Sequence, residues 1–146
     1  MNGIIFSISI GSERGQLKKE IPEATLIQNH GIENDAHAGV WGRQITCLSL
    51  QSVLHSNNAN NLNMGPGDFA ENLLIDGLNL SKLYPGSRLR LGQSAILEVT
   101  QIGKEDHPSI VSKTFGVSLL PREGVFCRVI RGGKIRKGDL AEIVLK

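Results

Sequence analysis

The chain has few aromatic residues, few cysteines and no long apolar run. Only 4% of its 146 residues are aromatic. A surface that holds single-stranded nucleic acid stacks bases on a row of such rings, so no nucleic-acid partner is expected. The two cysteines, Cys47 and Cys127, lie far apart and form no CxxC pair. Two thiolates cannot build a four-cysteine zinc site, and both read as small buried residues. No apolar stretch approaches the roughly 20 residues of a membrane helix. The opening MNGIIFSISIGSERG has no basic segment and no small-residue cleavage site, so a cytoplasmic protein without a membrane partner is expected. There is no GxGxxG, Walker loop, HExxH or GxSxG, which removes the commonest enzyme signatures.

The length suits one domain over residues 1–146, and 40% hydrophobic residues can form a core without metal or disulfide staples. Net charge is only +2 but is unevenly spread. Residues 44–81 hold three acids and no Lys or Arg, giving −3. Residues 122–146 hold seven bases and three acids, giving +4. A basic C-terminal part suits a phosphate-bearing or oxyanionic ligand, and it equally suits a solvated hairpin carrying Lys134, Arg136 and Lys137.

Apolar alternation and turn residues predict strands at Gly3–Ile10, Ala24–Asn29, Gln44–Leu48, Arg88–Leu91, Ala95–Ile102, Gly124–Arg131 and Leu140–Leu145. Gly92-Gln93-Ser94 reads as a hairpin. Ser49 is placed to cap a helix through about Asn57, with Leu50, Val53 and Leu54 at helical spacing. The Asn-rich stretch 57–63 reads as a surface loop, and Pro108–Phe115 as a short helix. Phe69–Ile75 is mixed, a strand or a turn. Many short strands, 17 glycines and few helices predict a mostly-β barrel or sandwich. No βαβ alternation is present, which argues against a doubly wound sheet.

Four clusters carry potential chemistry. The first runs from Gly31 to Gln44 and holds Asp35, His37 and Arg43; glycines allow such a loop to present polar groups, although Asp and Asn also serve as turn formers. The second, Gly65–Asn72, holds Asp68 and Glu71, an acid–base pair or a turn cap, and Asn72, whose amide matches the edge of a ring such as a pterin. The third is Lys104-Glu105-Asp106-His107 at a strand end, a reactive group or a solvated turn. The fourth holds Arg122, a planar fork for phosphate or carboxylate, with Glu123 to orient it. If the strand after Gly124 is regular and includes Arg122, then Arg122 and Arg128 share a face and Cys127 lies opposite.

In this order the clusters resemble the MOSC domain family, the domain type at the C-terminus of molybdenum cofactor sulfurases. GIENDAHAGVWGRQITCLS is similar to the family's "G-x-x-G-D-x-H-A-G … R-Q-V-S-L-L", with Asn34 where Gly is common. PGDFAENLLIDGLNLSKLYPGSRLRLG, AILEVTQIGKEDH and LLPREGVFCRVIRGGKIRKGDLAEI resemble its remaining motifs. The resemblance spans about Gly31 to Ile143. It implies a MOSC-type β-barrel with one or two short helices that binds the molybdenum–pterin cofactor, molybdopterin. The implied role is carriage or sulfur transfer, or reduction of N-hydroxylated compounds as in the branch that holds molybdenum by a thiolate. A non-catalytic module that binds a partner protein is the other alternative. Asp35, His37, Arg43, Asp68, Asn72, Lys104, Arg122 and Glu123 are implied to hold the pterin or another phosphorylated ligand.

Where relatives read "G-K-E-C-H", this chain has Asp106, and Ser118 stands where another cysteine is usual. Neither a carboxylate nor a hydroxyl carries a sulfane sulfur as a thiolate does. Asp106, His107 and Glu105 are therefore the implied catalytic group, with Cys127 as the alternative nucleophile and Asp106 as the implied metal ligand. A cofactor-biosynthesis or molybdoenzyme partner is implied. Pyridoxal phosphate is not expected, because nothing resembles the large lysine-bearing fold it needs.

Overall fold

The computed structural model describes residues 2–106 and 108–144. Its frame is a closed barrel of seven strands. They are β1 (Asn2–Ile10), β5 (Ile45–Ser49), β6 (Leu73–Asp76), β7 (Arg88–Leu91), β8 (Ala95–Ile102), β9 (Val125–Arg131) and β11 (Leu140–Val144). Around the barrel the order is β11, β7, β8, β9, β5, β6, β1. Closure comes from β1 on β11, with Asn2 opposite Glu142 and Ile4 opposite Leu140. On its other side β1 packs close to the end of β6, where Gly3 is required, since a Cβ there would lie 2.5 Å from the Asp76 carbonyl oxygen. All neighbours are antiparallel except β5 and β6, whose parallel pairing requires a crossover. Helix α1 (Leu50–Asn60) supplies it.

Alternation along each strand divides the apolar residues between two cores. Ile5, Ile45, Cys47, Leu73, Leu97, Val99, Val125 and Cys127 fill the barrel. Leu48, Leu74 and Phe126 point outward and are covered by Val53 of α1, by Phe69, by Val111 of α2 (Ile110–Phe115) and by Leu120 of α3 (Leu120–Glu123). This outer layer makes a cleft on the barrel wall. On the exposed side, Glu98 lies between Arg88 (3.2 Å) and Arg128 (2.8 Å), tying β7, β8 and β9 across their faces. The Arg128 hydrogen bond, opposed by burial and helped by Arg88, holds the Glu98 carboxyl below its ordinary value.

The mostly-β barrel agrees with the sequence reading, and β7 and β8 have the expected bounds. Other details differ. The Asn-rich stretch is helical to Asn60, and Asn61 closes α1 in the left-handed region. The Asn57 side chain explains this: it accepts from the Met64 amide and donates to the Met64 carbonyl, both at 2.9 Å, so the following chain is tied to the helix. Ser49 stands at the N-cap but makes no capping hydrogen bond. Three short strands go beyond the sequence reading: β2 (Lys19–Ile21), β4 (Gly31–Ile32) and β10 (Gly133–Arg136). The last two flank β3 (Glu23–Ile27) in a separate three-stranded sheet. Two to four residues carry too little alternation to be distinguished from turns. Helix α3 is likewise absent from the sequence reading, so Arg122 is helical rather than an extension of β9, and the shared face with Arg128 does not exist.

Candidate functional site

The first cluster folds around a buried ion pair. Lys18 Nζ reaches Asp35 Oδ1 at 2.7 Å, and both side chains are sealed from solvent, 1% and 0% exposed. Asp35 also accepts from the amides of Gly11 (3.0 Å) and His37 (3.1 Å), so its carboxylate pins the loop to the start of the chain. Asn34 takes a φ of 72°, a left-handed conformation that Asn tolerates where glycine would be usual. Asp35 thus acts as an orienting group. It is not a surface that a ligand can touch.

Lys18 makes a second contact, at 3.0 Å, with Nδ1 of His37. A lysine has no acceptor to offer there, so Nδ1 carries the lone pair and the proton sits on Nε2. Burial, then the nearby Lys18 charge, lowers the His37 pKa from 6.5 to about 4. The ring is neutral at pH 7 and presents an N–H. It stacks on Trp41, centroids 6.2 Å apart, and the Trp41 indole donates to the His37 carbonyl at 2.7 Å. Arg14 lies over the Trp41 ring at 4.6 Å.

Next to this unit the outer wall of the barrel opens into a cleft of about 350 Å³. Its floor is Thr46, Phe69 and Phe126, and its basic rim is Arg43, Lys104 and Lys113, with His37 and Trp41 at one end. The Arg43 guanidinium sits 5.2 Å from the centre of the Phe126 ring. It donates to Gln101 Oε1 (3.3 Å) and to Glu105 Oε2 (3.1 Å). Glu105 is 60% exposed, so Arg43 is positioned firmly from the buried side and only weakly by the solvated acid on the other. Three cations over an aromatic floor suit a planar ring bearing phosphate or another oxyanion.

Several residues singled out from the sequence take other places. Asn72 is buried, donating to the Ser9 carbonyl and accepting from the Thr46 amide, both at 3.0 Å. Its amide joins strands and is not available to a ring edge. Asp68 accepts from the Gly65 amide at 2.9 Å and closes a turn. Glu71 is wholly buried and receives the amides of Gly67 (2.7 Å) and Phe69 (3.1 Å). Burial pushes its pKa from 4.5 to about 7, against those hydrogen bonds. Arg122 and Glu123 lie on a different cleft at the barrel end. Cys127 is 0% exposed inside the barrel, and contact with Cys47, together with burial, pushes its thiol well up, which is the reverse of an activated nucleophile. Asp106 is exposed, and among the described residues no group of three or more His, Cys, Asp or Glu gathers to hold a metal. His107 lies outside the described residues.

Lys18, Lys113 and Phe126 belong to the site, and the sequence does not single them out. Lys18 sits in the run LKKE, which reads as a solvated face; nothing in the sequence marks one lysine of that run as buried. Lys113 and Phe126 come from separate elements that only the tertiary fold brings together.

Residues 34–142 match the family model described as the MOSC domain. No curated protein sequence matches the chain. Among solved structures, the YuaD protein from Bacillus subtilis has TM-score 0.79 at 19% identity, over 98% of this chain and 96% of that one. YiiM from Escherichia coli has TM-score 0.73 at 22% identity, over 100% of this chain and 71% of its own. YiiM from Geobacillus stearothermophilus has TM-score 0.75 at 17% identity, over 98% and 75%. At these identities the likeness concerns the fold. No helix among the described residues is long and apolar enough to cross a membrane.

Proposed function

Because this chain belongs to the MOSC domain family, we propose that it binds a molybdenum–pterin cofactor, or a phosphorylated planar ring like it, as a carrier without sulfur transfer of its own. One observation carries this reading: three cations and the rings of Trp41, Phe69 and Phe126 line the outer cleft, while both thiols are sealed inside the barrel. Arg43, Lys104 and Lys113 would hold the phosphate, Phe126 and Trp41 would flank the ring, and His37 Nε2–H would donate to an acceptor on the ring edge. The cofactor would bring its own redox chemistry. The donor set fits an anion and a flat ring. It does not fit a thiolate bond to the metal, because no cysteine faces the cleft, and no step through such a bond is derived. The whole of residues 1–146 would act as one domain, delivering cofactor to a biosynthetic or molybdoenzyme partner.

The test is the molybdenum and pterin content per chain after purification under reducing conditions from a host that makes the cofactor. Near-stoichiometric content supports the carrier; absence of both, unchanged on adding free cofactor, removes it. Arg43→Gln is expected to weaken binding about tenfold or more, the worth of a charge-assisted contact. Glu105→Gln is expected to tighten it a few-fold by releasing Arg43 from its acid. Cys127→Ala should leave affinity unchanged. If Glu105→Gln weakens binding instead, the acid contacts the ligand and does not merely restrain Arg43.

The exposed apolar side chains Ile4 (42%), Phe6 (36%) and Leu140 (42%) share one outer face across the β1–β11 seam. They favour the second reading, a partner-binding module. A chain that carries no cofactor but forms a complex abolished by Ile4→Lys would support that reading.

A further inference from the structure

A second and larger cleft, about 710 Å³, opens at the end of the barrel. Its floor is Leu78, Leu80 and Val125, and its rim carries Ser49, Ser52 and Arg122. The volume lies in the range of small-molecule sites, and an apolar floor with a few converging polar groups is their usual make-up. The wall is already set. Gln51 donates to Asp76 Oδ1 at 2.6 Å while its own Oε1 accepts from the Ser49 hydroxyl at 3.2 Å. Ser52 donates to Glu123 Oε1 at 2.6 Å. Ile102 extends the apolar surface at 40% exposure.

Arg122 is the uncommitted group. Arg14, Arg43, Arg88, Arg90, Arg128 and Arg136 all make side-chain hydrogen bonds or ion pairs. Among the described residues Arg122 and Arg131 make none, and of these two Arg122 lines the barrel-end cleft while Arg131 lines neither of the two clefts. Glu123, next to it, also faces the space. A phosphate dianion would meet that carboxylate with about twice the repulsion of a singly charged carboxylate, and one planar guanidinium fork matches one carboxylate.

The two clefts are physically separate. Ile102 lines this one and Lys104 the other; Arg122 lines this one and Leu120 the other. Between them the strand end is bonded to α3, Gly103 N to the Gly124 carbonyl at 2.8 Å and Lys104 N to the Pro121 carbonyl at 3.0 Å. Gly103 permits this layer, since its φ is 70° and a Cβ would stand 2.5 Å from the Pro121 oxygen.

We infer that the barrel-end cleft is a binding site for an organic carboxylate with an apolar or aromatic body, anchored by Arg122. The site stands whether or not the outer cleft holds a pterin. The probe is 2-naphthoate, with neutral 2-naphthamide as its isostere, titrated into the isotopically labelled full chain and followed by amide NMR shifts. Saturable shifts at Gly77 and Ile102 are expected for naphthoate. Arg122→Gln, a change at an exposed residue whose fold the ligand-free spectrum verifies, and the use of naphthamide should each weaken binding about tenfold or more. Arg43→Gln should have no effect. Shifts centred on Thr46 and Lys104, absence of saturation, or equal affinity in Arg122→Gln would each overturn the assignment.

Discussion

Asp35→Ala is expected to destabilise the fold by about 3–5 kcal/mol, the penalty for leaving a buried ion unpaired. Lys18 has a side chain only 1% exposed, and its carboxylate partner lies 2.7 Å away. Removing that carboxylate also strips the amides of Gly11 and His37 of their acceptor. The measurement is the urea unfolding midpoint at constant slope. The double variant Asp35→Ala, Lys18→Met should recover a large part of the loss, because no buried charge then remains. His37 would lose the lysine that sets its tautomer, so in that variant anion binding in the outer cleft should weaken while stability returns. A single variant no less stable than the parent would show that the pair is not sealed as described.

The second large effect concerns pH. Glu71 has its pKa raised to about 7 in the folded state against 4.5 when free. Between those values the folded chain binds a proton that the unfolded chain does not, so this group makes stability fall as pH rises from about 4.5 through 7. Across the window the effect is about 3 kcal/mol, since each pKa unit is worth ~1.4 kcal/mol. His37 has the opposite sign. Its folded pKa, about 4, lies below 6.5. Unfolding then takes up a proton, and stability is lost as pH falls from 6.5 towards 4. His37 is partly exposed, so its effect is the smaller. The two oppose each other through most of one range, and the parent protein should show a shallow net fall in stability with rising pH. In Glu71→Gln the slope should reverse, with stability rising from pH 4 to 6.5, whatever the variant's absolute stability. In His37→Asn the fall should steepen. Chemical denaturation at a series of pH values reads these slopes, and parallel curves for parent and Glu71→Gln would mean that Glu71 does not titrate in this window.

Much of the outcome is legible without coordinates. Alternation in ITCLS, RLRL, AILEVTQI and VFCRVIR identifies strands, because a residue on a pleated strand can face only one of two sides. The order of GIENDAHAGVWGRQ, PGDFAEN and LLPREGVF points to the family, and the absence of a cysteine near Asp106 already argues against a persulfide carrier. Asn34, standing where glycine is common, does take a left-handed φ. These are properties of single segments, decided by local sterics and by covalent identity. Which segments meet was decided by the fold. Arg122 went to the barrel end rather than to Arg43 because α3 turns the chain before β9. Asn72 and Glu71 were consumed by backbone groups that only the packed barrel buries. Lys18 became buried because Asp35, from a distant loop, was there to pair with it, and the energy of such a contact depends on a desolvated geometry that a linear pattern does not contain.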